Sequence, residues 1–136
     1  MCDLSNSVIF EKGEKNPFPN FIGNSYLNML SLNPDCPIGN VTFEPGCRNN
    51  WHIHAGGQTL LVTGGSGWYQ ENGEPARKLK AGDVIDIAPG VKHWHGAAKD
   101  SWFVHIAVEV RPDKGATEWL EAVTDEEYAK LDNKGE

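Results

Sequence analysis

Short runs of apolar residues recur along the chain, and glycine, proline and asparagine residues interrupt them. Several runs are rich in β-branched or aromatic residues, and turn signals recur about every eight to twelve residues, which is typical of an antiparallel sandwich or barrel. The pattern therefore predicts an all-β fold. We expect strands over residues 26–32, 41–44, 59–63, 67–70, 77–80, 84–87 and 102–110.

Two segments predict turns between these strands. The glycine-rich segment 64–67 lacks the following helix and the Lys-Ser/Thr pair of a phosphate-binding loop, so we interpret it as a turn that separates two strands. Asn72-Gly73 is typical of a tight hairpin. Prolines within the first 20 residues disfavour a core element there, although residues 8–10 could add a short edge strand, on this chain or on a partner subunit.

The last part of the chain predicts a short helix. Thr124 is followed three residues later by Glu127, and this spacing is that of a capping box, in which the two side chains satisfy the first free N–H groups of a helix. Tyr128 and Leu131 follow at a helical spacing. We therefore expect a C-terminal helix that packs on the outside of the barrel.

Length and composition indicate one domain, spanning residues 1–136, that can bury a core without disulfides. The net charge of −7 disfavours nucleic acid as a partner, because phosphate binding needs a basic patch. No apolar run approaches the roughly 18 residues of a membrane helix. An odd number of cysteines without CxxC spacing, and an N-terminus unlike a signal peptide, predict a reduced, cytoplasmic protein that acts on a small molecule.

The segment around His52 and His54 predicts a metal site. Residues two apart in a strand project from the same face, so these two rings can point to one place. Gly56-Gly57 can turn the chain so that Gln58 joins them, and His93 brings a third imidazole. Three imidazoles and an amide oxygen suit a mid-to-late first-row divalent metal. This donor set is neutral, so the ion keeps its full double charge.

These residues lie in two motifs that resemble those of the cupin superfamily. Gln58 stands where the first motif usually has an acidic residue, and Ala88 and Ala97 replace a proline and an asparagine in the second. The positions that match are Gly46, His52, His54, Gly65, Gly82, Gly90 and His93. The resemblance covers about residues 38–110 and implies a double-stranded β-helix, or jelly-roll, barrel.

A narrower set of segments resembles small single-domain cupins that act as manganese-dependent hydroxynitrile lyases, and their relatives associated with carboxymuconolactone decarboxylases. The segments are residues 41–46, 51–54, 57–60, 92–97 and His105. The resemblance implies that His52, His54, Gln58 and His93 hold the metal and that His105 is the acid/base. It favours manganese, with iron, nickel, cobalt or zinc as alternatives, and it implies a homodimer.

Four further residues are candidates for the substrate pocket. Period-two alternation places His105 and Glu109 on one strand face, so Glu109 could orient His105 or contact a polar substrate. His95 is two residues from His93 and could lie in the cavity or behind the metal. Phe43 and Leu60 are apolar candidates for the same pocket. A buried structural histidine is the alternative interpretation of His105.

Three functions fit this site. The first is a metal-dependent lyase that acts on a small hydroxylated or carbonyl compound, as hydroxynitrile lyases do. The second is an iron-dependent dioxygenase or oxidative decarboxylase, which would use two open metal positions for substrate and oxygen. The third is a non-catalytic module that binds a metal and a small ligand as an accessory to a carboxymuconolactone decarboxylase-like partner.

Overall fold

The computed structural model describes residues 9–133. The edge strand predicted at residues 8–10 falls partly outside the described residues, and residues 9 and 10 form a bend rather than a strand. Among residues 9–133, no helix is both long and apolar enough to cross a membrane.

Twelve strands and a nine-residue α-helix make up most of the described chain, and a turn of 3-10 helix lies between the last two strands. In chain order the elements are β1 (Glu14–Lys15), β2 (Phe21–Ile22), β3 (Ser25–Ser31), β4 (Ile38–Phe43), β5 (Arg48–Asn49), β6 (His52–Ile53), β7 (Gln58–Glu71), β8 (Arg77–Lys80), β9 (Val84–Ile87), β10 (His93–Ala97), β11 (Phe103–Glu109), the 3-10 turn (Pro112–Lys114), β12 (Glu118–Trp119) and α1 (Asp125–Asn133).

The strands pair in antiparallel fashion and form two curled layers that share β7. One layer has the order β1-β3-β4-β11-β7, with β9 also paired to β7. The other has the order β7-β10-β5-β2, with β8 on β7 and with β6 between β10 and β12. The predicted all-β jelly-roll barrel is confirmed. Five of the expected strands correspond to β3, β4, β8, β9 and β11, with their ends shifted by at most a few residues.

The turn predicted at residues 64–67 is wrong, because β7 runs through it as one continuous strand. Residues up to Gly65 pair with β11 and residues from Gly67 onwards pair with β10, so the segment carries the strand from one layer to the other. A Cβ atom at Gly67 would lie 2.3 Å from the carbonyl oxygen of Gly96 and 2.7 Å from the Phe103 ring. The glycines therefore allow the strands to cross closely. Glycine within a strand often marks a site where another backbone approaches.

The predicted strands do not include β1, β2, β5, β6, β10 or β12, of which β10 is the longest. All five residues of β10 are buried, but its sequence is His-Trp-His-Gly-Ala, which has none of the usual apolar alternation. The histidines occupy its inner face instead of aliphatic residues. The short strand β12 has two residues and pairs with β6 through Trp119 and His52.

The C-terminal helix begins at the predicted capping box. The Glu127 amide donates to Thr124 Oγ1 (3.0 Å), and the Thr124 amide donates to Glu127 Oε1 (3.1 Å). Tyr128 and Leu131 pack with three tryptophans in an apolar cluster outside the barrel. Arg48 reaches this helix from the barrel and donates to Asp125 (2.7 Å). The helix is thus attached to the back of the strands that carry the histidines.

Candidate metal centre and its cavity

A cavity of about 210 Å³ opens between the two layers, and its lining is polar at one end and apolar along one wall. The polar lining consists of Asn16, Asn49, His52, His54, Gln58, His95, His105, Glu109 and Thr117. The other lining residues are Phe18, Phe21, Leu27, Met29, Pro37, Gly39, Val41, Phe43, Ala107 and Trp119. A small molecule bound here would meet imidazoles on one side and aliphatic and aromatic carbons on the other.

His52 and His93 face each other across the antiparallel pair β6–β10, with ring centroids 4.2 Å apart. His52 Nδ1 donates to the Asn50 carbonyl (2.7 Å) and His93 Nδ1 donates to the Val91 carbonyl (2.9 Å). A carbonyl can only accept, so each Nδ1 carries the hydrogen and each Nε2 keeps a lone pair. His93 Nε2 is buried and has no hydrogen-bond partner among the described residues.

His54 and Gln58 are held by one carboxylate. Gln58 Nε2 donates to Glu109 Oε2 (2.6 Å), and His54 Nδ1 lies 3.2 Å from Glu109 Oε1 and 3.1 Å from Thr117 Oγ1. His54 Nε2 and Gln58 Oε1 are buried, and within residues 9–133 neither has a hydrogen-bond partner. Buried polar atoms are nearly always paired, so these orphaned acceptors indicate a missing ligand.

The rings of His52, His54 and His93 lie close together. The His54 centroid is 5.0 Å from that of His52 and 5.5 Å from that of His93. Among the described histidines, cysteines and carboxylates, however, the group with donor atoms within 4.8 Å of one another is His52, His93 and His95. The structure thus adds His95 to the candidate ligands, and the repeated HxH spacing of residues 93–95 was the sequence signal for it.

His95 also connects this group to His105. His105 Nε2 lies 3.1 Å from His95 Nδ1, and the Phe43 ring packs against both imidazoles. The His95 amide donates to Asn49 Oδ1 (2.9 Å), which fixes the backbone at this point. His105 is 1% exposed, and its Nδ1 has no hydrogen-bond partner in the described part of the chain. His105 and Glu109 both face the cavity, as the strand alternation predicts.

The roles open to His95 and His105 depend on which of the two rings donates the hydrogen bond between them. A neutral imidazole has one N–H. If His95 offers Nε2 to a metal, it donates from Nδ1 to His105 Nε2, and His105 then carries its own hydrogen on Nδ1. If His105 donates from Nε2 instead, its Nδ1 can accept a proton. In this pair of neutral rings, ligation through His95 Nε2 and proton acceptance at His105 Nδ1 exclude each other.

Burial keeps the clustered imidazoles neutral. It lowers the pKa of His93 to about 4 and that of His105 to about 3. Burial, followed by the repulsion of neighbouring rings, also lowers the pKa of His52 and of His95 well below the ordinary 6.5. Neutral rings can offer lone pairs to a metal at neutral pH. Imidazole nitrogens with an amide oxygen suit a divalent transition metal, so the residues present fit such an ion.

Leu60 lies elsewhere than the sequence analysis expected. It is completely buried in an apolar cluster with Phe43, Val62 and Phe103, and it does not line the cavity. Most of the apolar wall was not predicted from the sequence. Phe18, for example, comes from the first 20 residues, in which no core element was expected, and Phe21 follows them.

Comparisons with known proteins agree with this architecture. The family model described as the cupin domain matches residues 39–108. The (R)-mandelonitrile lyase of Granulicella tundricola is 44% identical over 119 residues, which cover 85% of this chain and 91% of the relative. The crystal structure of a cupin-like protein from Thermotoga maritima is 49% identical, has a TM-score of 0.87, and is matched over 90% of this chain and 96% of that one.

A more distant structure shares the fold alone. It is that of an uncharacterized conserved protein with a double-stranded β-helix domain from Klebsiella pneumoniae, 21% identical with a TM-score of 0.64. The match covers 89% of this chain and 96% of that one. The barrel fold is therefore shared at a sequence identity too low to indicate a shared function.

Proposed function

We propose that this chain, which belongs to the cupin family, is a metal-dependent lyase that cleaves the carbon–carbon bond of a small 2-hydroxynitrile. The observation that carries the proposal is the set of buried, unpartnered acceptor atoms on His54, His93 and Gln58, two of which belong to residues that line a cavity together with His105. The 44% identity to an (R)-mandelonitrile lyase supports the choice of substrate class.

His52, His54, Gln58 and His93 would hold the metal in this proposal. Three of the four have an acceptor atom that is buried without a partner among the described residues, and the Nδ1 atoms of His52 and His93 are tied to carbonyls. A bound divalent metal supplies Lewis acidity, which lowers the pKa of a substrate hydroxyl. Manganese is our choice of ion, on the resemblance described above.

His105 acts as the base. Its Nε2–H donates to His95 Nδ1, which leaves His105 Nδ1 free to accept the hydroxyl proton. As the O–H electrons form the carbonyl, the C–CN bond breaks and its electron pair leaves with cyanide. His105 then returns the proton to cyanide, so the products are an aldehyde and hydrogen cyanide. This assignment places His95 beside His105 as its acceptor rather than on the metal.

The apolar wall favours a substrate with a hydrocarbon side chain. Phe43, Val41 and Met29 line the cavity together with Phe21 and Trp119, and an aromatic or branched aliphatic group would replace water against them. The hydroxyl would then face the histidines. A homodimer and a cytoplasmic location complete the proposal and stay predictions.

The direct test is cleavage of racemic mandelonitrile in mildly acidic buffer, with release of benzaldehyde followed by absorbance. The manganese-loaded protein should release benzaldehyde well above the EDTA-treated protein, and His105→Gln should lower kcat by about 10²- to 10⁴-fold. Glu44→Gln serves as control, because Glu44 bonds to Tyr26 and Asn24 outside the cavity. No benzaldehyde above the metal-free control would remove the proposal. Activity that requires oxygen would favour the dioxygenase instead.

A further inference from the structure

We propose that Glu109 is a positioning residue that supplies, from behind the ligands, the negative charge that three imidazoles and an amide lack. The inference rests on the metal site of the proposed function. Glu109 is the last residue of β11 and the direct cross-strand partner of Gln58 on β7. Its backbone amide donates to the Pro37 carbonyl (3.1 Å), so the end of the strand is fixed at this point.

Both carboxylate oxygens of Glu109 contact a candidate ligand. Oε2 accepts from Gln58 Nε2 at 2.6 Å, and Oε1 lies 3.2 Å from His54 Nδ1. The Glu109 side chain is 30% exposed while that of His54 is 8% exposed, so the carboxylate is more accessible to solvent than the ligand that it contacts. A single side chain thus contacts two of the four proposed ligands.

A carboxylate only accepts hydrogen bonds, and this fixes the direction of Gln58 and favours one tautomer of His54. Gln58 must turn its NH₂ group to Glu109, so its carbonyl oxygen points away. The carboxylate 3.2 Å from His54 Nδ1 favours a hydrogen on that atom, which Thr117 Oγ1 can also accept, and this tautomer has its lone pair on Nε2. Gln58 Oε1 and His54 Nε2 are two of the buried atoms that have no partner within the described residues. Carboxylates behind metal-bound imidazoles commonly fix the tautomer and raise the basicity of the ring in this way.

The same contact explains why an amide, rather than a carboxylate, suits position 58. A glutamate there would face Glu109 at hydrogen-bond distance with no hydrogen between the two groups, and like charges this close repel. With Gln58, one carboxylate remains in the site, and it is one side chain removed from the ion. The site therefore keeps an attractive charge for a dication without placing an anionic ligand on it.

The proposal is tested by exchanging the two side chains. Glu109→Gln, Gln58→Glu and the double variant are compared with wild type and with Glu44→Gln, in which an equally paired carboxylate outside the cavity is neutralised. Calorimetry with MnCl₂ gives the metal affinity, the d–d absorption of the Co²⁺ protein reports the ligand geometry, and thermal unfolding is measured without metal. None of these readouts requires turnover.

We expect Glu109→Gln to weaken Mn²⁺ binding by about 10- to 100-fold and to change the Co²⁺ spectrum, while Glu44→Gln stays within about twofold of wild type. Without metal, Gln58→Glu should lower Tm by at least about 3 °C. The double variant should recover most of that loss, because an amide again donates to a carboxylate.

Three results would overturn the inference. One is a Glu109→Gln protein that binds Mn²⁺ within twofold of wild type with an unchanged Co²⁺ spectrum. Another is a double variant that is no more stable than Gln58→Glu. A wild-type protein that binds neither Mn²⁺ nor Co²⁺ would remove this inference and the metal-dependent lyase together. If the variants behave as expected but mandelonitrile is not cleaved, only the proposed function fails.

Discussion

His52 and His93 lie directly opposite each other in the antiparallel pair β6–β10, and each ring is tied by Nδ1 to the carbonyl two residues before it. The two strands therefore position both rings before any ion binds. Residues 52 and 93 come from the two separate motifs, so the pairing of β6 with β10 is the step that assembles the candidate centre.

Removing one of these paired rings should abolish metal binding. We expect His93→Ala to weaken Mn²⁺ affinity by more than about 100-fold, since loss of a ligand exceeds the 10- to 100-fold cost of losing a residue that orients one. Calorimetry measures the affinity. Trp94→Phe is a neighbouring control on the outer face of β10, where the ring packs against Tyr128. Equal affinity in His93→Ala and wild type would contradict the assignment.

His95 gives a sharper test, because it is either a ligand or the partner of His105. With His105 as the base, His95→Phe should leave Mn²⁺ affinity within about threefold and lower kcat by about tenfold or more, since His105 loses the acceptor of its Nε2–H. His95→Gln offers an amide oxygen to the same N–H and should recover part of the rate. A large loss of metal affinity in His95→Phe would instead indicate that His95 is a ligand. In that case His95 Nδ1 donates to His105 Nε2, and not the reverse.

Local rules predicted a large part of this structure. Strand alternation placed His105 and Glu109 on the inner face of β11, and the spacing of Thr124 and Glu127 located the start of α1. These features depend on residues within a few positions of each other. The same holds for the HxH segment, whose two rings lie 5.0 Å apart in the structure.

Features set by distant contacts could not be predicted in the same way. Gln58 and Glu109 are 51 positions apart, and no local pattern indicates that one donates to the other. The continuity of β7 through residues 64–67 depends on its pairing with β10 and β11. A glycine cluster without such partners favours a turn. The apolar wall of the cavity likewise includes Phe18 from an N-terminal segment without an amphipathic pattern.

The crossing of β7 between the layers predicts that Gly67 does not tolerate a side chain. In Gly67→Ala the new methyl would lie 2.3 Å from the Gly96 carbonyl oxygen, so the strands must separate, and we expect a loss of about 1–3 kcal/mol in unfolding free energy. Urea unfolding measures it. Gly73→Ala shows the cost of backbone strain alone, because its φ is +87° and no atom beyond its chain neighbours lies within 4 Å of its Cβ. A Gly67→Ala protein that unfolds with the wild-type free energy would show that the crossing does not require glycine.

Buried imidazoles also predict that the metal-free protein loses stability in mild acid. The pKa of His93 is about 4 and that of His105 about 3 in the folded state, and those of His52 and His95 are also lowered from the ordinary 6.5. As pH falls through about 6.5, the unfolded chain takes up protons that the folded chain does not. Stability is therefore complete above this value and decreases towards pH 4, by up to about 1.4 kcal/mol per pH unit for each ring.

The measurement is the urea midpoint of EDTA-treated protein between pH 7.5 and pH 5. The lower limit keeps carboxylates such as Asp83 and Glu121 ionised, because their hydrogen bonds to Lys80 and Lys92 lower their pKa values. His105→Gln should weaken the pH dependence of the urea midpoint by the contribution of one imidazole, whatever the substitution does to stability at pH 7.5. Identical midpoints at pH 7.5 and pH 5 in the wild type would mean that the rings are already solvated or protonated in the native state. They could not then present the neutral lone pairs on which the proposed metal centre depends.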